Sequence, residues 1–220
     1  MNALGSHAFL VPETPKMNAI SELIKNRTSA NNYDAARKLS NDEIAQLIEL
    51  ATLSPSAFNF QNWKFVAVQS DEGKARLLPL AFNQPKIIEA AVTFIVCGTL
   101  APHLALPAAL KPSLVAGIID RATYEGWIGA ANGMYGENST LQRDEAVRSG
   151  AMAAMTLMLA AQGRGLVSCP MIGFDQAGVA AEFGLLCADV PVMLVTVGYP
   201  GAENWPQKPR KVVTEVLSYA

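Results

Sequence analysis

Residues 90–110 carry no formal charge, and this run limits what the chain can become. A membrane-spanning helix needs ~20 such residues in a row. Here Gly98, Pro102 and Pro107 interrupt the run, and His103 lies inside it. Proline inside a helix removes a hydrogen bond and collides with the preceding turn. Within the run, Val92-Thr93-Phe94-Ile95-Val96 is β-branched and aromatic, the composition of a buried strand. Residues 190–197 form a second apolar run of the same kind. The pattern therefore predicts a globular core with buried strands and no membrane partner.

Composition narrows this further. The chain has 220 residues, of which 50% are hydrophobic and 16% charged, with a formal charge of −2. That length and apolar content predict one domain with a sizeable core and exclude intrinsic disorder. No basic run follows the chain, so nucleic acid is an unsuitable partner. The charged fraction falls below the ~25% of an ordinary soluble domain. With a membrane span set aside, a large oligomer interface or an apolar cofactor pocket accounts for the shortfall. Cys97, Cys169 and Cys187 stand far apart, which suits a reducing cytoplasm better than a disulfide framework. Two histidines and no C-x-x-C pair leave no metal cluster, and no G-x-S-x-G elbow signals a hydrolase.

Periodicity places the elements. Ile20, Leu23 and Ile24 mark a short amphipathic helix. Ser40 and Glu43 form a capping-box pair ahead of Ile44, Leu47, Ile48 and Ala51, which recur at helical spacing. Residues 63–68 read as a strand, and Asp71 opens a short helix. Asn83-Gln84-Pro85-Lys86 reads as a turn before the buried strand. Residues 143–162 read as a long Ala/Met-rich helix, with Asp144, Glu145 and Arg148 at its wet end and Gly163 and Gly165 as stop signals. Residues 166–169 are extended, and Asp175 caps a helix that runs to Phe183. Residues 212–217 read as an extended end. Residues 99–142 read as an excursion between strand and helix. Residues 1–16 read as a flexible N-terminal arm too weakly apolar for a signal peptide, leaving 17–220 as the domain and Met17 as an alternative start.

Four polar groups stand out against this background. Asn26-Arg27-Thr28-Ser29 follows the first helix, and an Arg fork beside a hydroxyl is suited to phosphate oxygens. The others are the loop Pro55-Ser56-Ala57-Phe58-Asn59-Phe60-Gln61-Asn62-Trp63, the turn Asn83 to Lys86, and the basic tail Trp205-Pro206-Gln207-Lys208-Pro209-Arg210-Lys211. Each, taken alone, also reads as an ordinary helix end, loop or solvated tail.

Together and in this order they resemble the FMN-dependent nitroreductase family, over roughly residues 18–220. Arg27 and Ser29 match the family's R-x-S. Pro55 to Trp63 match its P-S-S-x-N-x-Q-P-W loop, and Asn83 and Lys86 match its N-x-x-K turn. Gly165-Leu166, then Pro170-Met171-Ile172-Gly173-Phe174-Asp175, match G-L … P-x-x-G-F-D. Gly198-Tyr199-Pro200, then Lys208-Pro209-Arg210, match the closing G-Y-P … K-x-R.

The resemblance implies an α+β, three-layer α/β/α fold with a mixed, mainly antiparallel central sheet and a domain-intertwined homodimer. It implies FMN as cofactor, NADH or NADPH as co-substrate, and a nitroaromatic, quinone or enone acceptor reduced by ping-pong hydride transfer. Other flavin reactions of the superfamily, and a non-catalytic flavin carrier, are the alternatives. Arg27, Ser29, Lys208 and Arg210 would hold the phosphate, Thr28 would also bind the cofactor, Asn31 would lie near the ring, and Asn83 and Lys86 would sit at its pyrimidine edge. Pro170, Met171, Ile172 and Gly173 would face the hydride-accepting side. Pro55, Ser56, Ala57 and Asn59 would reach over from the second protomer. Phe58, Tyr124 and Trp127 are the candidate acceptor-pocket residues, although of Tyr124, Trp127 and Tyr135 two are expected simply to pack. The small residues of 151–161 would let central helices meet across the two-fold axis. No side chain reads as nucleophile or general base, which accords with a cofactor that carries the chemistry itself. Cys169 reads as a small buried hydrophobe.

Three positions depart from the family pattern. Ala57 replaces a serine, Ile172 replaces an acid common in one subgroup, and Asn31 stands where many members have Lys or Arg. A charge-assisted hydrogen bond contributes ~1.5–3 kcal/mol. Acting only on the reduced flavin, it would shift a two-electron potential by ~30–60 mV. Asn31→Lys should therefore raise the flavin potential by about that much; an unchanged redox titration would refute the assignment.

Overall fold

The computed structural model describes residues 19–220. The arm assigned to residues 1–16, and Met17, lie outside the described residues. Four strands form one sheet in the order β1-β2-β4-β3: β1 (Trp63–Val68), β2 (Val92–Thr99), β3 (Val167–Met171) and β4 (Asp189–Gly198). Every strand pair in it is antiparallel. Its parallel component is a single bridge between Ser29 and Ser168.

Alternation along β2 explains why its sequence is apolar at nearly every position. Val92, Phe94 and Val96 join a core with Ile44, Leu47, Leu157 and Met158. Ile95 and Cys97 join a second core with Leu77, Ile87, Phe174 and Val179. Successive side chains point to opposite faces, so a strand covered on both faces needs no polar residues. The first layer is α2 (Asn41–Ala51) and α7 (Ser139–Gly163); the other is α3 (Asp71–Leu80), α4 (Lys86–Glu89) and α8 (Gln176–Glu182). This is the three-layer α+β arrangement expected. Burial also pushes the Cys97 thiol up to about 12, so it packs as an inert apolar group.

Most helix starts follow the local chemistry in the sequence. Ser40 accepts from Glu43 N, and Glu43 accepts back from Ser40 N at 2.8 Å, completing the capping box of α2. The Ser70, Asn138 and Asp175 side chains accept from backbone N–H groups at the starts of α3, α7 and α8, and Asp120 does the same for the helix that begins at Arg121. The excursion of residues 99–142 proves to be two helices, α5 (Pro102–Val115) and α6 (Arg121–Tyr135). They share a small core of Phe60, Leu106, Leu110, Ala131 and Tyr135. The prolines that obscured α5 are Pro102 in its first turn and Pro107 and Pro112 within it.

Three other expectations need correction. Glu145 is not at a wet end: it is 1% exposed. Its carboxylate accepts from Tyr135 Oη at 3.1 Å and Ser149 Oγ at 3.2 Å, and it pairs with Arg148. Gln142 completes this latch by donating to Tyr135 O at 2.6 Å and accepting from Ala101 N at 3.1 Å. Both ends of the excursion are thus tied to α7, which begins at Ser139 rather than near Arg143. Within α7, Ala153, Ala154 and Ala161 are fully buried, and Ala154 and Ala161 pack in the sheet core, whereas Ala151 and Ala160 stay partly exposed. The end of the chain is not extended at residues 213–215 but forms a 3-10 turn, Val213–Glu215.

The tightest point is the crossing of α7 over β2. A Cβ at Gly98 would overlap the Ala146 carbonyl, and one at Gly150 would lie 2.9 Å from Val192 Cγ2. Gly98→Ala should destabilise the protein by about 3 kcal/mol, the upper end for overpacking, because backbone must move. Gly129→Ala, on an open helical surface with nothing within 4 Å, should instead add about 0.5–1 kcal/mol. Chemical denaturation of both variants tests the contrast.

Candidate active site

The site forms where β3, the first loop and the tail meet. α1 (Ala19–Asn26) ends as Arg27 N bonds Leu23 O at 3.0 Å. The next residues are joined to β3: Ser29 bridges Ser168, and Ala30 N donates to Ser168 O at 2.9 Å. Tyr33 braces the same strand from behind. Its hydroxyl lies 2.7 Å from Thr196 Oγ1, which donates to Cys169 O at 3.2 Å. Burial raises the Tyr33 phenol above its ordinary value, so it stays protonated.

The tail closes over this loop. Asn204 accepts from Asn31 N at 2.8 Å and Asn32 N at 3.1 Å, and donates to Asn32 O at 2.9 Å. Gln207 donates to Arg27 O at 2.9 Å and accepts from Arg210 at 2.8 Å. Lys208 Nζ lies 5.0 Å from the Trp205 ring centre. Thr28, Ser29, Lys208 and Arg210 thereby line one small recess, although R-x-S and K-x-R lie far apart in sequence. Asn204 and Gln207 hold the two segments together. No assigned role singled them out in the sequence, since their partners are backbone atoms brought close only by folding.

Two polar atoms here have no protein partner. Arg27 Nη1 and Asn31 Nδ2 are buried without a hydrogen bond. An unpaired buried donor is costly, and such groups in native proteins usually mark an absent acceptor. Both are donors, one of them cationic, so the missing group is rich in acceptors and carries negative charge. The residues present thus fit the phosphate and the polar ring edge of FMN.

Lys86 reaches β3, and Asn83 lies in the exposed turn before it. Lys86 opens α4 and its Nζ lies 3.5 Å from Cys169 Sγ. The position of α4 is set by Lys74, which is 1% exposed and donates to Ala90 O at 2.6 Å and Ile88 O at 3.3 Å. Desolvation lowers the Lys74 pKa from its ordinary value. Pro170 and Met171 end β3, and Ile172 and Gly173 emerge exposed beyond it. Cys169, as expected, is buried.

The loop at Pro55, Ser56, Ala57 and Asn59 packs elsewhere. Phe58, Asn59 and Gln61 have φ of 50°, 59° and 52°, and Gln61 N bonds Ser56 Oγ at 2.9 Å. Such strained backbone gathers at functional loops. Phe58 meets Trp127 edge-on with ring centres 6.2 Å apart. Tyr124 donates to Pro107 O at 3.1 Å, and Tyr135 is buried against Phe60. Tyr135 is thus buried, Tyr124 half-buried and Trp127 38% exposed.

Among the described residues, no cluster of three or more His, Cys, Asp or Glu could hold a metal ion. No helix among them is long and apolar enough to cross a membrane.

An antiparallel sheet between two helical layers, with an anion-receptive cradle at one edge, defines a class of α+β cofactor-binding domains. The nitroreductase family model matches residues 24–199, and the chain belongs to that family. Among its relatives is a Bacillus subtilis protein named "Putative NAD(P)H nitroreductase YodC". It is 34% identical over 177 residues, which are 80% of this chain and 87% of that protein. The CLA biosynthesis enone reductase of Lactiplantibacillus plantarum is 27% identical, over 84% of this chain and 88% of its own. A nitroreductase-like protein of Exiguobacterium sibiricum, solved in complex with FMN, superposes with a TM-score of 0.86 at 29% identity. The match covers 92% of this chain and 98% of that one.

Proposed function

We propose that the chain is an FMN-dependent oxidoreductase that takes reducing equivalents from NADH or NADPH and passes them to a nitroaromatic, quinone or enone acceptor. The observation that carries this is the recess lined by Thr28, Ser29, Lys208 and Arg210, with a buried, unpartnered Nη1 on Arg27, the residue before Thr28. The relatives' names, which include NAD(P)H nitroreductases and an enone reductase, support the reaction class.

FMN, when bound, supplies the hydride exchange. The protein's part is to bind, orient and polarise. Arg27, Lys208 and Arg210 neutralise the phosphate, while Thr28 and Ser29 donate hydroxyl bonds. Asn31 and Asn83 would hold the polar ring edge, and the Lys86 ammonium would stabilise negative charge there. Gly173 would let the chain pass close to the ring beside Pro170, Met171 and Ile172. Three unpaired thiols accord with a cytoplasmic setting.

The same reading calls for a second protomer. Pro55, Ser56, Ala57 and Asn59, with Phe58 and Trp127, would complete the partner's site. Two surfaces support this. Val212, Val213, Val216 and Leu217 lie exposed on the tail. Ile20, Leu23, Leu50, Leu53 and Leu159 line an apolar recess of about 490 Å³. A patch of this kind marks an interaction surface.

The purified protein should be yellow and should bleach when NADH or NADPH is added without oxygen. A colourless protein that takes up no added FMN refutes the reading, and one that neither nucleotide bleaches is a carrier. Arg27→Ala and Arg210→Ala should each weaken FMN binding about 10- to 100-fold, the worth of a charged hydrogen bond. Full retention by the double variant would remove the phosphate assignment. In sedimentation at micromolar concentration the protein should be a dimer, with an interface above the ~1,600 Å² of ordinary complexes; a stable FMN-bearing monomer contradicts this.

A further inference from the structure

Two large apolar side chains stand in water next to the proposed flavin site. Ile172 is 80% exposed and Phe82 62% exposed. The turns that carry them lie together: a Cβ on Gly173, the residue after Ile172, would lie 3.9 Å from the Phe82 ring. Phe82 belongs to the turn that carries Asn83 and Lys86, and Ile172 precedes Gly173.

The backbone fixes both. Phe82 and Asn83 have φ of 52° and 55°, a left-handed region that L-residues avoid. Asn83 N bonds Leu78 O at 3.0 Å and Phe82 N bonds Pro79 O at 3.2 Å, which closes the end of α3 into this turn. On the other side Phe174 is buried, and Asp175 N bonds Leu80 O at 2.8 Å. The two turns are thus joined, and the exposed pair is held on a rigid frame. Single exposed apolar residues are ordinary, but Phe82 is held out on strained backbone, and Ile172 stands exposed on the turn joined to it, beside a polar site.

We infer that Phe82 and Ile172 form an apolar lip that selects acceptors bearing an aliphatic chain, the reducible head lying at the flavin and the chain crossing the lip. This rests on the proposed function and adds the substrate class. Full burial of a methylene is worth about fourfold in affinity, so a chain half-covered by the lip gains about twofold per methylene. From methyl to hexyl that is about thirtyfold.

The test uses the flavin-loaded protein, photoreduced without oxygen and mixed with 2-methyl-, 2-butyl- and 2-hexyl-1,4-benzoquinone. Each quinone takes up two electrons and two protons to become the hydroquinone, and the flavin returns to its oxidised state. The readout is the slope of log rate against chain length, with free reduced FMN as the control. The native protein should show the thirtyfold rise and free FMN a flat series. Phe82→Ala and Ile172→Ser should flatten the slope, while Phe82→Leu and Ile172→Leu should keep most of it. A general loss of activity lowers every rate without changing the slope. A native protein with a flat series, or Phe82→Ala and Ile172→Ser variants that keep the native slope, overturns the lip and leaves the proposed function standing. A protein that binds no FMN overturns both.

Discussion

The close approach of α7 to β2 is the constraint on which the other parts depend. Gly98 and Gly150 remove side chains where helix and strand backbones meet, and Ala153, Ala154 and Ala161 keep the rest of that face small. Dispersion and apolar burial both increase with closeness, so small residues let a long helix cover two central strands at once. With that face sealed, the second layer of α3, α4 and α8 can bury the alternate residues of the same strands. β2 and β4 are then shielded on both faces, and the sheet's chemistry is displaced to its β3 edge.

That edge is where the polar residues collect. β3 accepts Ser29 on one side and places Cys169 against Lys86 near its end. Tyr33 and Thr196 brace it through its backbone. The tail is bound through Asn204 and Gln207 to backbone atoms of the first loop. Rigid elements therefore hold a cradle with unpaired donors, and this arrangement suits a chain of charge −2 that must receive an anion. The positive charge is local, and the rest of the surface has no need of it.

Much of this was legible in the sequence where local chemistry decides it. Ser40 with Glu43 announced α2, and Asp175 announced α8. The apolar runs at 92–96 and 190–197 marked the two central strands. The excursion was harder, because Pro107 and Pro112 in α5 oppose its helical form and only the small core around Phe60 and Leu106 offsets them. Glu145 departs from its sequence pattern for a related reason. A carboxylate on a helix reads as solvated unless its partners are known, and Tyr135 comes from the preceding helix.

The sequence by itself determined the family, the central strands, the capped helices and the residue types of the cradle, because each follows from local pattern or ordered motif. Only the tertiary structure decided that Arg27 keeps an unpaired buried nitrogen, that Gln207 and Asn204 hold the tail to the first loop, and that Phe82 and Ile172 stand exposed on two joined turns. The physical reason is the same in each case. Whether a polar atom is satisfied, or an apolar one covered, depends on atoms distant in sequence, and their approach is fixed only when the α7–β2 crossing and the β3 edge are in place.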